Sequence, residues 1–464
     1  MEQSPSPRSY RVGTLRYTLP RLLLVSVMML LATQAMSLVC YNLVPSVKPI
    51  LLDRVGASST EIALIISTIP QALNFVLCPL ISTISDKTRS RIGRRMPFLI
   101  GSAPVLVLLL VLIAWSGDLA ALLVEIFPAL RSVNVAFWLL ATLILLFQVV
   151  YLFPGSVIYY LIADVIPREC LGRYMAIATI AGSGLSAGFN FFILKYAVDS
   201  MKTTFCILGA LYLAIYILLL CFVPEGKYPP VEDTISVSGN FLVRAKAYVA
   251  MFFRECFSRR IFVLLFFCTG LNQASNICRS MYNILFATKD IGLSISGYGR
   301  IIGIGAVISA VVIFFMGKIM DRTHPMFIYL IGGIFILLVN VFGYFFVYTP
   351  MTFAVIGIAT AIMYAIQGLA YSPLLINLLP PDKFGQFSSA NSMVNAVAVL
   401  FGSWLGGILT DCFGYRVMFL WDFCITLLAT FALLGVYKQW KLLGGREHYT
   451  PPAVDVAPDS SGAN

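Results

Sequence analysis

SDKTRSRIGRRMPF, residues 85–98, stands between two long apolar runs, 60–84 and 97–116. It holds one acid, Asp86, and five bases, Lys87, Arg89, Arg91, Arg94 and Arg95. A connection this short between two apolar helices is a tight turn at a bilayer surface. Its charges are excluded from hydrocarbon, where each costs about 2.5–3.5 kcal/mol on insertion scales. By the positive-inside rule the loop faces the cytoplasm and orients every other helix. Asp86 can pair with a base on a neighbouring helix end or lie near a helix N-terminus. With Arg94 and Arg95 it would form a latch that closes in one conformation and opens in another. The plainer reading is a loop that only sets orientation.

The composition agrees with a membrane setting. Of 464 residues, 59% are hydrophobic and 11% charged, against about 25% charged in soluble chains. The mean hydropathy is +0.89. Apolar runs of about 20 residues recur along nearly the whole chain, which implies an all-α polytopic membrane protein. The net charge of +11 is not a nucleic-acid signal, because the bases lie in loops, where anionic lipid meets them. The 10 Cys show no metal or disulfide spacing, and His324 and His448 lie in loops. No Gly-rich phosphate loop with Lys and Ser/Thr appears, nor any nucleophile–base pair. The chain reads as a non-enzyme with no cofactor and no metal.

Twelve spans are expected, at about 22–47, 60–84, 97–116, 134–163, 174–197, 203–223, 261–287, 297–319, 326–348, 352–379, 388–410 and 415–437. They divide the chain into an N-terminal tail (1–21), a six-helix bundle (22–223), a linker (224–260), a second six-helix bundle (261–437) and a C-terminal tail (438–464). The tail 1–21 carries Arg8, Arg11, Arg16 and Arg21 and runs directly into a span, which is not the pattern of a cleavable signal. The linker carries Arg244, Lys246, Arg254, Arg259 and Arg260, with an amphipathic surface helix expected near 241–257. With both termini in the cytoplasm, its segments hold 23 Lys and Arg and the outer segments 8. That asymmetry favours this topology, in the cell membrane. Residues 119–130 are expected along the membrane surface, and the tail after Gly444 is expected to be disordered.

The two halves repeat one another. Gly56-Ala-Ser58 matches Gly292-Leu-Ser294, and Ser85-Asp86-Lys87-Thr88 matches Met320-Asp321-Arg322-Thr323. Pro167-Arg-Glu169-Cys-Leu-Gly172-Arg173-Tyr174 matches Pro380-Pro-Asp382-Lys-Phe-Gly385-Gln386-Phe387. The pieces keep their order, at offsets of 236, 235 and 213. Two pseudo-symmetric six-helix bundles follow, with a midplane substrate site. Asp321 and Arg322 become the second half's latch residues.

Polar side chains on one helical face mark the face turned from lipid. Span 1 carries Gln34, Tyr41 and Lys48; span 4, Gln148, Tyr151 and Tyr159; span 7, Asn272, Asn276, Arg279 and Asn283; span 10, Tyr364, Gln367 and Tyr371. Every third helix thus bears a stripe, and four such helices can enclose one watery cavity. Amides donate and accept while aromatic faces cover the C–H side of a sugar ring, which suits a polyhydroxylated ligand. Taken singly, the same side chains also bond helix to helix.

Arg279 is a base deep in a span, and no acid is expected at its depth. It can bond sugar hydroxyls or pair with a substrate carboxylate; it can also snorkel or bond helix carbonyls. Asp164, at the end of span 4, can carry a proton. The other reading pairs it with Arg168, Arg173 or a base of the 85–98 loop.

SDKTRSRIGRRMPF resembles the helix 2–3 signature of the glycoside–pentoside–hexuronide cation symporters and related sucrose transporters, within the major facilitator superfamily. Ala163-Asp164, with Pro167 and Gly172-Arg173, is similar to the end of helix 4 in sucrose-transporter-like proteins. The resemblance implies the major facilitator fold and cation-coupled sugar uptake by alternating access. Sodium-coupled members carry two helix 2 acids, at positions that fall here on Asn74 and Cys78. Their helix 4 and helix 1 acids fall on Gly155 and Ser37. These departures point away from sodium and toward a proton, with Asp164 the acid carried over. The expected partners are a small-molecule substrate, a sugar or glycoside, the coupling proton and the lipid bilayer, with no nucleic acid. Arg279 keeps open an anionic sugar such as a hexuronide, or another organic acid. A non-transporting sensor that signals through 224–260 or a tail is a reading of a different class.

Overall fold

The computed structural model describes residues 10–12, 14–88, 90, 92–226, 252–320, 323–380, 383–445 and 449–452. Among the described residues twelve helices are long and apolar enough to cross a membrane. They are Leu19–Arg54, Ser59–Leu77, Met96–Ala114, Val135–Ile162, Glu169–Asp199, Met201–Phe222, Arg260–Asp290, Ile295–Met316, Pro325–Phe346, Pro350–Leu378, Phe384–Phe413 and Val417–Leu442, spans 1 to 12. All twelve expected spans are present.

Span 1 overruns its expected end by one and a half to two turns, because Pro45 and Pro49 do not stop it. A π-helical turn at Ser37–Leu43 precedes them. Span 2 opens on a capping box, in which Ser58 and Glu61 exchange hydrogen bonds. It passes through another π turn, Leu64–Thr68, just before Pro70. Further π turns lie at Phe189–Ile193 in span 5 and Phe286–Asp290 in span 7. Span 7 also breaks at Asn276, where the helix Arg260–Ser275 ends and Ile277–Leu285 begins. Interrupted helices of this kind place backbone groups where a ligand can reach them. The repeat is visible in the backbone: Gly56 and Gly292 both take positive φ, 82° and 72°. The serine two residues after each glycine then caps a helix start.

The chain falls into two compact units. One comprises Met1–Glu232 with Ile284–Val307, the other Asp233–Asn283 with Ile308–Asn464. In the first, the Lys289 ammonium pairs with Asp53. In the second, spans 7, 9, 10, 11 and 12 bury Phe262, Phe266, Tyr329, Leu374, Phe387 and Leu433 together.

Three details add to or differ from the sequence expectation. Residues 10–12 and 15–17 form a small antiparallel hairpin, with Tyr10 opposite Tyr17. The segment after span 3 folds as a helix, Ser116–Ile126, and a 3-10 turn, Pro128–Ser132. Part of the C-terminal tail is ordered, because the Tyr449 hydroxyl donates to the Leu378 carbonyl at 2.8 Å. Of the surface helix expected near 241–257, residues 252–256 are helical; 227–251 lie outside the described residues.

Spans 7 and 11 approach closely at Gly406, where an added Cβ would sit 2.2 Å from the Cys278 sulfur. Gly406→Ala is expected to cost about 1–3 kcal/mol by overpacking. Adding Cys278→Ala restores most of that loss, read as the thermal transition of the purified protein in detergent.

Candidate functional site

At one end of the first unit, the 85–98 loop closes on two carboxylates. The Arg94 guanidinium donates to both oxygens of Asp164, at 2.9 Å each. Arg95 Nε lies 3.4 Å from the same carboxylate, and its Nη1 donates to Ser85 Oγ at 2.6 Å. The Arg95 guanidinium also stacks over Tyr160, 4.9 Å from the ring centroid. Glu225, just past span 6, accepts from the backbone N–H groups of Arg95 at 2.9 Å and Met96 at 3.2 Å. Gly93 lets this happen: its φ is +116°, and a Cβ there would sit 2.2 Å from Glu225 Oε2.

The described acids that Arg94 and Arg95 meet are Asp164 and Glu225. Asp164 takes the reading in which a base of the loop pairs with it. Glu225 was missed, because a Glu in a Pro-Glu-Gly turn carries no periodic signal. The Asp86 side chain, and Asp321 and Arg322, lie outside the described residues.

Above this end, the first unit presents aromatic and amide side chains. Tyr41 and Tyr151 meet edge to face at 5.8 Å. Tyr41 and Tyr159 are each about half exposed. A cavity of about 160 Å³ lies against Gln148 and Tyr151 of span 4 and Gln71 and Asn74 of span 2, with Ile66 and Pro70 on its wall. Gln71 and Asn74, three apart on one helical face, were missed as lining residues. Gln34 is used differently: its amide donates to the Ala178 carbonyl of span 5 at 3.1 Å.

The second unit holds a buried charge network. Arg279 Nε lies 3.1 Å from Asp422 Oδ2, and Arg279 Nη2 donates to Asn340 at 2.5 Å. The Tyr364 hydroxyl donates to the other Asp422 oxygen. The guanidinium stacks over Phe419, 4.9 Å from the centroid. The Asp422 side chain is wholly buried and that of Arg279 is 10% exposed. The expectation that no acid lies at the depth of Arg279 is therefore wrong. Asp422 sits six residues into span 12 from Arg416, and antiparallel packing brings it level with Arg279.

The rest of the span 10 stripe turns inward too. The Tyr371 hydroxyl accepts from Asn391 at 2.8 Å and Asn395 at 3.0 Å, and Thr269 donates to Asn391 at 2.6 Å. Gln367 is buried against Gly332 and Gly333 of span 9. Asn272 and Asn276 are half-buried, the latter at the break in span 7. In this unit the stripe of span 10 serves largely to bond helix to helix.

Two outcomes follow. Arg279→Met strands a buried carboxylate and is expected to lower stability by about 3–5 kcal/mol. Arg279→Met with Asp422→Leu recovers most of that, measured by thermal unfolding of the purified protein. At the other end, burial pushes the Glu225 carboxyl above the usual carboxylate range, against the pull of the Arg95 and Met96 N–H groups. The folded state holds this proton more tightly than the unfolded chain. Its stabilising contribution is full below the unfolded value and is lost as pH rises through the folded one. Glu225→Gln removes that component of the pH dependence.

Residues 22–349 and 265–447 match the family model of the Major Facilitator Superfamily. A stretch of 171 residues is 26% identical to the general alpha-glucoside permease of Schizosaccharomyces pombe; it spans 35% of this chain and 30% of the permease. A bacterial homologue of the human lysosomal transporter Spinster superposes with a TM-score of 0.66, at 14% identity, over 94% of this chain and 98% of that one. The nucleoside transporter NupG gives 0.61 at 15% identity, over 90% and 99%. A D-xylose–proton symporter gives 0.59 at 16%, over 89% and 96%. Twelve apolar helices, their internal repeat and a family model that covers nearly all of them lead to one assignment: this chain belongs to the Major Facilitator Superfamily of membrane transporters.

Proposed function

We propose that this chain is a secondary transporter of a sugar or glycoside, working by alternating access with a proton as coupling ion. The observation that carries the reading is the first unit's cavity. It combines two amides and a third from Asn74 with the Tyr151 phenol, and this set can match alternating donors and acceptors on a sugar ring. Tyr41 and Tyr159 add exposed aromatic faces. The alpha-glucoside permease and the D-xylose–proton symporter, by their names, handle ligands of this class. Asn74 stands where sodium-coupled relatives have an acid, which favours a proton over sodium.

Asp164 can carry the proton only in a conformation in which Arg94 and Arg95 have released it. Opening the latch and protonating Asp164 are then one event, and the 85–98 loop works on the cytoplasmic side with both termini. In the second unit Asn272 and Asn276 are the substrate candidates, while Arg279 is held by Asp422 and Asn340, and Tyr364, Gln367 and Tyr371 pack helix to helix behind them.

The test is uptake of labelled glycosides into proteoliposomes, with and without an inward proton gradient. Gradient-driven accumulation is expected. Gln148→Ala is expected to lower uptake about tenfold, as for loss of a buried polar contact. Absence of flux for every neutral and acidic glycoside, with the protein folded, overturns the reading; ligand binding without flux turns it toward a sensor.

A further inference from the structure

Spans 11 and 12 of the second unit enclose, with Tyr344 of span 9, a cavity of about 380 Å³. It is larger than the first unit's space of about 160 Å³ and falls within the roughly 300–1,000 Å³ that ligand sites occupy. Its character is the opposite of the amide-rich space. Leu409 and Phe413 come from span 11, and Leu420 and Ile425 from span 12. Among the described residues that line it there is no amide and no carboxylate. Phe413 is 71% exposed and Leu420 46%. The cavity therefore opens on the flank of the helices, where a spanning chain meets acyl chains and not water. Its floor is fixed: Trp421 is 7% exposed, and its indole N–H donates to the Ala274 carbonyl of span 7 at 3.0 Å.

The one charged side chain on the lining is Arg416. It immediately precedes span 12, Val417–Leu442, which places it at headgroup level. Its guanidinium donates to the Tyr344 carbonyl at 2.6 Å and to the Val347 carbonyl, and stacks over Tyr348, 3.9 Å from the ring centroid. All three partners are neutral, and a guanidinium keeps its full charge and has five N–H donors. The acids nearest in sequence turn elsewhere. Asp422 is taken by Arg279, and Asp411 lies near Tyr282 of span 7. Among the described residues no carboxylate pairs with Arg416.

An apolar chamber open to hydrocarbon, ending in a guanidinium without a counter-charge at the interface, has the two-part character of a charged lipid. We infer that this cavity binds an anionic phospholipid of the leaflet that holds the 9–10 and 11–12 connections. An acyl chain fills the space between spans 11 and 12, and the phosphate takes the remaining N–H donors of Arg416 in a charge-assisted contact. The plainer role for Arg416 is to cap the last carbonyls of span 9, which suits a cation at a helix C-terminus. That role needs neither the cavity nor a phosphate.

The test uses the full chain, purified in detergent and stripped of lipid. Dioleoyl phosphatidylglycerol and dioleoyl phosphatidylcholine, which share their acyl chains, are titrated separately, and so is glycerol 3-phosphate, which has no chain. Bound lipid is counted by native mass spectrometry, and the thermal transition is followed, since a ligand of the native state raises it. Phosphatidylglycerol is expected to bind saturably, about tenfold more tightly than phosphatidylcholine. Glycerol 3-phosphate is expected to give no shift. Arg416→Gln is expected to bring phosphatidylglycerol down to the level of phosphatidylcholine. Cys424 lines the cavity and is exposed, so Cys424→Phe fills the space with Arg416 intact. It is expected to weaken phosphatidylglycerol about tenfold, and it carries the test alone should Arg416→Gln fail to fold. Equal binding of the two lipids by the wild type overturns the inference. So does a preference that survives in Arg416→Gln, which leaves Arg416 as a cap of span 9 only. Binding untouched by Cys424→Phe, or a shift with glycerol 3-phosphate as large as with lipid, overturns it too.

Discussion

A charge inside a bilayer must bring its own partner, and the deeper it lies the less water can stand in for one. The second unit meets this constraint by assembling Arg279, Asp422, Asn340 and Tyr364 from four different spans. Spans 7, 9, 10 and 12 are therefore not free to slide past one another, since any relative shift of a few ångströms uncovers an ion. A unit tied this way is suited to moving as a rigid body, which is how carriers of this superfamily layout are expected to work. The apolar packing of Phe262, Phe266 and Phe387 fills the same unit without fixing its register; the ion pair and its hydrogen bonds do that.

The first unit solves the same problem at its surface rather than in its interior. Asp164 and Glu225 are brought to the guanidinium and backbone groups of Arg94 and Arg95 by a loop that turns on Gly93. These pairs lie at a helix end, and the Arg94 and Asp164 side chains are each 18% exposed. Water reaches the Arg94–Asp164 pair, whereas the Arg279–Asp422 pair is almost wholly closed off from it. The difference follows from depth, not from residue type, because both use Arg and Asp.

The spans and the repeat were legible because each leaves a local trace: a long apolar run, a glycine that must take positive φ, a serine two residues later. Arg94 and Arg95 were legible because five bases crowd one loop. Their partners were less so. Arg279 and Asp422 are 143 residues apart, and no periodicity joins them; only the packing of span 12 against span 7 brings them level. Gln34, Gln367 and Tyr371 were recognised as polar and turned from lipid, yet polarity does not say which neighbour a side chain faces. Only packing decides between a watery space and an adjacent helix, and for these three it chose the helix. Gln71 and Asn74 were less legible as lining residues, because two amides three apart are too short a pattern to mark a helical face.

The contrast between the two interior cations then carries its own argument. Both lie on stripes that the repeat makes equivalent, span 1 and span 7, and both are more than nine-tenths buried. One is matched by a carboxylate, an amide, a tyrosine-bound counter-ion and an aromatic face. The other has a carbonyl left over from a proline. If burial alone were the aim, an apolar residue at position 48 would serve better than an ammonium, since it would leave nothing to desolvate. Pro70 has no N–H to offer the Ile66 carbonyl, and the Lys48 ammonium of span 1 donates to that carbonyl instead. The proline, the π turn and the lysine thus form one local contact between spans 1 and 2.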